Sequence, residues 1–184
     1  MKISLTLFIL VVGISIQKVQ AQFNKGARLL GGTASLSMKS VSESQSSTVS
    51  AFIVRLAPRF GVALSNQMIV GGILSLDYEG SNVGGTTTIK AGPMARYYFP
   101  IQQKLYGFGE LAAQVGTTKI SKVDSSPFLT DFSIGPGASY FVNRSFAVEA
   151  LLKYANVGSR INGKGGSQGG VYFSIGVQAF LRKD

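Results

Sequence analysis

The stretch Ala51-Phe52-Ile53-Val54-Arg55-Leu56-Ala57-Pro58-Arg59-Phe60-Gly61-Val62-Ala63-Leu64 decides how the rest of the chain is read. Its period is two. Phe52, Val54, Leu56, Pro58, Phe60, Val62 and Leu64 fall on one side, and Ile53, Arg55, Ala57, Arg59, Gly61 and Ala63 on the other. A β-strand points alternate residues to opposite faces. This one presents a bulky apolar face and a face of mostly small residues broken by arginines. It also exceeds the ~5–6 residues of an ordinary strand and reaches the ~9–11 that a tilted strand needs to cross a bilayer.

The pattern recurs. Eight runs carry it, at about Ala27–Ser40, Ala51–Leu64, Met68–Glu79, Thr87–Phe99, Leu105–Lys119, Phe128–Val142, Phe146–Ser159 and Gly170–Leu181. In the fourth, Ile89, Ala91, Pro93, Ala95, Tyr97 and Phe99 oppose Thr88, Lys90, Gly92, Arg96 and Tyr98. In the seventh, Phe146, Val148, Ala150, Leu152 and Tyr154 oppose Glu149 and Lys153. In the eighth, Val171, Phe173, Ile175, Val177, Ala179 and Leu181 oppose Tyr172, Ser174, Gly176, Gln178 and Phe180. The fifth is mixed, since Glu110 and Gln114 share a face with Tyr106 and Phe108, and it reads as a plug low in the lumen.

Parity does not say which face is inside, but volume does. Eight strands enclose a lumen that side chains just fill, and the face of Gly, Ala and Ser with a few long charged groups fits it. The bulky face then meets lipid. The ring must close, because open sheet edges are not viable in lipid. The expected fold is all-β: an eight-stranded antiparallel up-and-down transmembrane barrel.

Ahead of the barrel, Lys2 and the apolar stretch Ile3–Ile14 read as a signal peptide ending at Val19-Gln20-Ala21. The core is too short to span a bilayer as a helix. Cleavage after Ala21 divides the chain into residues 1–21, the signal, and 22–184, the barrel domain. The composition agrees: 184 residues, 45% hydrophobic, 14% charged and 23 Gly suit one apolar domain. The absence of Cys excludes a lipoprotein anchor and disulfides, and the absence of His removes the commonest general base. The formal charge of +10 falls to +8 without Lys2 and Lys18. For an exported chain that balance favours anionic lipid or acidic glycan over nucleic acid.

Connections alternate in length. Ser65-Asn66-Gln67, Pro100 to Lys104 and Asn143-Arg144-Ser145 are short, whereas Val41–Ser50, Gly80–Thr86, Ile120–Pro127 and Arg160–Gly169 are longer and polar. Short periplasmic turns and longer outer loops are the asymmetry of outer-membrane barrels, which places both mature termini in the periplasm. Pro58, Pro93 and Pro136 each stand seven residues before Ser65, Pro100 and Asn143, the openings of the short turns. A proline in a paired strand loses a ladder hydrogen bond, so the repeat implies a shared bend or bulge.

Arg96-Tyr97-Tyr98-Phe99-Pro100, Leu105-Tyr106-Gly107-Phe108-Gly109-Glu110 and Pro136-Gly137-Ala138-Ser139-Tyr140-Phe141 resemble the outer-membrane β-barrel domain family, the small-porin group of OmpA- and OmpX-type barrels. The resemblance covers about Phe23 to Leu181. It implies residence in the outer membrane and recognition by the barrel-insertion machinery of an aromatic residue ending the last strand. Here the chain departs from that pattern, because Phe180 is followed by Leu181-Arg182-Lys183-Asp184.

By parity the lumen holds Lys39, Arg55, Arg59, Lys90, Arg96 and Lys153 against Asp77, Glu110, Asp131 and Glu149. If Leu64 faces Met68, Arg55 faces Asp77. If Phe99 faces Leu105, Arg96 lies diagonal to Glu110. Buried charge is costly unless paired, so these residues are expected to form an ion-paired network that plugs the barrel. No His stands beside a Ser, and no spacing singles out a Ser–Lys dyad or a phosphate loop. The reading is therefore a non-enzymatic, monomeric membrane-structural or surface-interaction barrel with no cofactor or metal. Lys119, Lys122, Arg160 and Lys164 at the outer rim are candidate contacts for lipopolysaccharide. The alternatives are a narrow small-solute channel and a secreted, soluble calycin-like barrel with a hydrophobic ligand inside.

Overall fold

The computed structural model describes residues 23–43, 47–81, 84–120, 126–161 and 164–181. The signal-peptide reading and Lys122 lie outside the described residues. Among those described, β1 (Arg28–Glu43), β2 (Ser47–Ala63), β3 (Met68–Ser81), β4 (Gly84–Gln102), β5 (Leu105–Ile120), β6 (Phe128–Phe141), β7 (Phe146–Ile161) and β8 (Lys164–Leu181) form one closed antiparallel barrel in chain order.

The strands outrun their apolar stretches. β1 and β2 pair out to Glu43↔Ser47, β3 and β4 to Ser81↔Gly84, and β7 and β8 to Ile161↔Lys164. Most of Val41–Ser50, Gly80–Thr86 and Arg160–Gly169 is thus ladder, not the long loop expected there. An antiparallel ladder is held by backbone groups, which Ser, Thr and Gly supply as well as Val does. The change to polar side chains marks where strands leave the apolar band rather than where pairing ends.

Short turns at the opposite end have local causes. Ser65 Oγ accepts from the backbone N–H of Gln67 (3.3 Å) and Met68 (3.1 Å), and Asn143 Oδ1 from Ser145 (2.8 Å) and Phe146 (2.9 Å). Such side-chain bonds mimic a backbone turn and fix it.

The third turn corrects an expected register. β4 runs on to Gln102, which faces Leu105, and a bulge lies between Pro100 and Gln102. Phe99 therefore faces Gly107 rather than Leu105, a shift of two positions. An even shift keeps every side chain on its face; an odd one would invert the strand.

The three repeated prolines sit in a common frame without a bulge. Pro58 faces Gly32, Pro93 faces Gly72 and Pro136 faces Gly109 on the preceding strand. Toward the following strand each falls in a gap, and pairing resumes in unchanged register beyond it. The missing N–H removes one rung and leaves the alignment intact.

Large apolar residues point outward around the ring, among them Leu36, Phe60, Ile134, Phe146, Phe173 and Val177. Phe60 leans over Gly72 and Phe99 over Gly107, each the residue directly opposite, so a Cβ on either glycine would strike the ring. Tyr97, Phe99, Tyr140 and Phe146 crowd the short-turn end, with Phe52, Tyr78, Phe128 and Tyr154 toward the other. Two aromatic girdles flanking an apolar band are what membrane barrels present to lipid.

Candidate functional site: the barrel lumen

From the short-turn end the lumen is first aromatic. Phe23, just before β1, stacks on Phe180 of β8 (centroids 5.2 Å) and meets Tyr98 of β4 edge-on at 5.2 Å. Phe141 lies 5.0 Å from Phe180 and 5.3 Å from Tyr106, and Phe108 lies 5.3 Å from Tyr98. All are at most 3% exposed. Sequence reasoning missed Phe23, which precedes the first alternating run; only its aromatic character just past the expected cleavage point hints at a role.

Above the rings sits an ionic layer drawn from four strands. Arg59 of β2 donates from Nε and Nη2 to Glu110 of β5 at 3.0 and 3.2 Å, and from Nη1 to Thr33 Oγ1 at 2.8 Å. Arg96 of β4 donates from Nε to Glu110 Oε2 at 2.8 Å and from Nη1 to Glu149 Oε2 of β7 at 2.8 Å. Its Nη2 is 2.7 Å from Glu110 Oε2 but off the line of its N–H, so it makes an ion contact and not a hydrogen bond. Tyr98 joins the layer, its hydroxyl accepting from Arg96 Nη1 at 3.0 Å and donating to Glu149 Oε1 at 3.2 Å. Two guanidinium forks thus meet two carboxylates, the geometry in which buried charges are tolerated. Arg96 faces Glu110 directly, not diagonally as expected, because β4 continues to Gln102 and, with the bulge there, the net shift is two positions.

A second, looser cluster lies above. Lys90 of β4 pairs with Asp131 of β6 at 2.5 Å and lies 3.7 Å from Asp77 of β3. Arg55 of β2 directly faces Asp77, with its Nε 3.6 Å from the carboxylate. The Arg55 guanidinium also lies 4.5 Å over the Tyr172 ring. Lys153 of β7 enters the same space but comes within 4 Å of no carboxylate among the described residues. Lys39 lies on β1 opposite Ala51. Arg55, Asp77, Lys90, Asp131, Lys153 and Tyr172 line a cavity of about 490 Å³ together with Thr33, Ser75, Thr88 and Ser174.

On the outer surface Lys119 and Arg160 are exposed. Phe128, whose ring is exposed, faces Thr117 on one side and Arg160 on the other, and Lys119 lies two residues beyond Thr117 on β5. Lys164 pairs through its backbone with Ile161. No cluster of His, Cys, Asp and Glu that could hold a metal occurs among the described residues.

The chain matches a family model described as the outer membrane protein beta-barrel domain over residues 6–179. No curated protein sequence matches it. Its fold is similar to that of Neisserial surface protein A (NspA), with 16% identity, a TM-score of 0.52 and coverage of 83% of this chain and 94% of that one. It is also similar to the outer membrane protein OprG from Pseudomonas aeruginosa, with 11% identity, a TM-score of 0.51 and coverage of 89% and 100%. At such identities the likeness is one of fold.

Proposed function

Because the chain belongs to the outer-membrane β-barrel domain family, we propose that it is a non-enzymatic integral barrel of the outer membrane, closed across its lower lumen, serving membrane structure or surface interaction. The observation that carries the closed reading is the double layer of Arg59, Glu110, Arg96 and Glu149 over Phe23, Tyr98, Phe108 and Phe180. Every one of these side chains is at most 3% exposed. An ion crossing that layer would have to pull apart a pair of buried guanidinium–carboxylate systems, each expensive to leave unpaired. In this reading residues 1–21 are a signal removed on export, and the short turns and both mature ends face the periplasm. The barrel-insertion machinery delivers a monomer to the membrane.

The test is conductance of the refolded barrel in a planar lipid bilayer. The expected result is a silent membrane. Stable, large single-channel steps would overturn the closed reading in favour of the narrow-channel alternative, which the cavity above the ionic layer favours.

The outer rim supplies the surface contact. Lys119 and Arg160 around Phe128 pair cationic groups with an aromatic ring at the upper edge of the apolar band, a combination suited to the phosphates and acyl chains of lipopolysaccharide. Replacing Lys119, Lys122, Arg160 and Lys164 together by Gln is expected to lower the lipopolysaccharide that co-purifies with the barrel. An unchanged lipid load would remove this element of the proposal.

A further inference from the structure

We propose that the upper cavity is a binding site for a compact oxyanion, a phosphate or carboxylate group, seated between Lys153 and Arg55. Charge accounts for the sign of the ligand. Among the described residues the cavity is lined by Arg55, Lys90 and Lys153 against Asp77 and Asp131, which leaves one positive charge unmatched. Lys90 takes up Asp131 at 2.5 Å and approaches Asp77, and Arg55 shares Asp77 at 3.6 Å. Lys153 is the cation left over, although Asp131 Oδ1 lacks a hydrogen-bond partner in the same region of the lumen.

Register brings the anion-binding groups together. Lys153 faces Tyr172 directly across β7 and β8, and the Arg55 guanidinium lies over that same ring at 4.5 Å. One phenol is therefore flanked by an ammonium with no carboxylate within 4 Å among the described residues and by a guanidinium held at one edge only. Ser174, two residues along β8 on the same face, adds a hydroxyl to the lining. A partly buried cation with no carboxylate partner is stabilised by a ligand that supplies one, and Arg and Lys side by side are suited to oxyanions.

Two routes lead to the site. One is the end of the barrel away from the short turns. The other is the seam between β1 and β8, whose ladder among the described residues runs from Arg28↔Leu181 to Ala34↔Ile175. The residues next in line, Ser35 and Ser174, both line the cavity. Their outward neighbours Leu36 and Phe173 are exposed apolar side chains, so this stretch of the seam stands in the apolar band. The same oxyanion could arrive as a free solute from outside or as a lipid headgroup sliding in through the seam. The proposal goes beyond the closed-lumen reading and does not depend on conductance, so failure of either leaves the other standing.

The experiment uses the folded barrel with two probes. The first is sn-glycerol 3-phosphate, titrated calorimetrically. The second is phosphatidylglycerol in nanodiscs, with retained lipid counted by native mass spectrometry against phosphatidylcholine. Lys153→Gln is expected to weaken binding about tenfold or more, Lys153→Arg to retain it, and Lys104→Gln, at the exposed short-turn end, to leave it unchanged. Folding of each variant is checked by the gel-mobility shift on boiling. Binding of glycerol phosphate supports a free solute, and retention of phosphatidylglycerol alone supports a headgroup; either upholds the site. Binding of neither probe, or equal loss in Lys104→Gln and Lys153→Gln, would overturn it.

Discussion

Arg96 and Glu110 face each other across β4 and β5, joined by a hydrogen bond of 2.8 Å, and Glu110 is held at the same time by Arg59 from across the lumen. Removing one member leaves the others charged and buried. Arg96→Met is therefore expected to destabilise the barrel by about 3–5 kcal/mol, the usual cost of breaking one side of a buried pair. Urea unfolding of the refolded protein in lipid vesicles measures it. A loss below about 1 kcal/mol would mean that water reaches the layer and screens it.

The same layer is the proposed barrier to ions. Shortening Arg59, Arg96 and Phe108 together to Ser, Ser and Ala is expected to produce ion steps in a planar bilayer where the unaltered barrel gives none. Shortening Arg55 and Asp77 is expected to leave the barrel silent, since they line the cavity above the closure. Silence in the triple variant would place the barrier among Phe23, Tyr106, Phe141 and Phe180.

Phe23 links the start of the chain to its end. It stacks on Phe180 and meets Tyr98 with 1% of its surface exposed. Phe23→Ala is expected to cost about 3–5 kcal/mol as a buried aromatic truncation, read as a lower midpoint in urea. Cleavage after Ala21 would leave only Gln22 ahead of this residue, so the intact mass of the exported protein is expected to begin at Gln22. A mature chain beginning after Phe23 would remove this packing altogether.

How far the sequence could carry the structure depends on the range of the interaction. Strand faces were legible because period two is a local property: every residue assigned to the lumen from Arg55 to Phe180 by alternation, wherever its burial is described, points inward. The register of Arg96 was not, because β4 runs on to Gln102 before its turn and a bulge then takes up one residue, and nothing in Pro100-Ile101-Gln102 announces either. Strand ends at Glu43 and Ile161 were hidden because polar side chains do not interrupt a ladder. The bond from Arg59 on β2 to Glu110 on β5 joins strands that are not neighbours in the ring. The lack of a carboxylate beside Lys153 is a property of distances across the cylinder. Both lie outside what alternation can report.

The outward face is open to a direct optical test because the chain contains no Trp. A single tryptophan placed at Leu56 or at Ser75 would therefore be the only indole in the molecule. Leu56 is exposed at 48% on the bulky face of β2, and Ser75 is buried at 6% on the lumen side of β3, hydrogen-bonded to Gln114. In vesicles of lipids brominated along their acyl chains, Leu56→Trp is expected to lose most of its fluorescence, since bromine quenches only at close approach. Ser75→Trp is expected to be quenched far less, with the barrel wall between its ring and the lipid. Ser75→Trp projects into the cavity and removes the hydrogen bond to the buried Gln114, a loss of about 1–3 kcal/mol. Leu152→Trp and Ser174→Trp, on the outer face of β7 and the inner face of β8, form a second pair with the same expectation. Equal quenching within both pairs would mean that lipid reaches the ionic face as well, and stronger quenching at Ser75 and Ser174 would reverse the assignment of inside and outside.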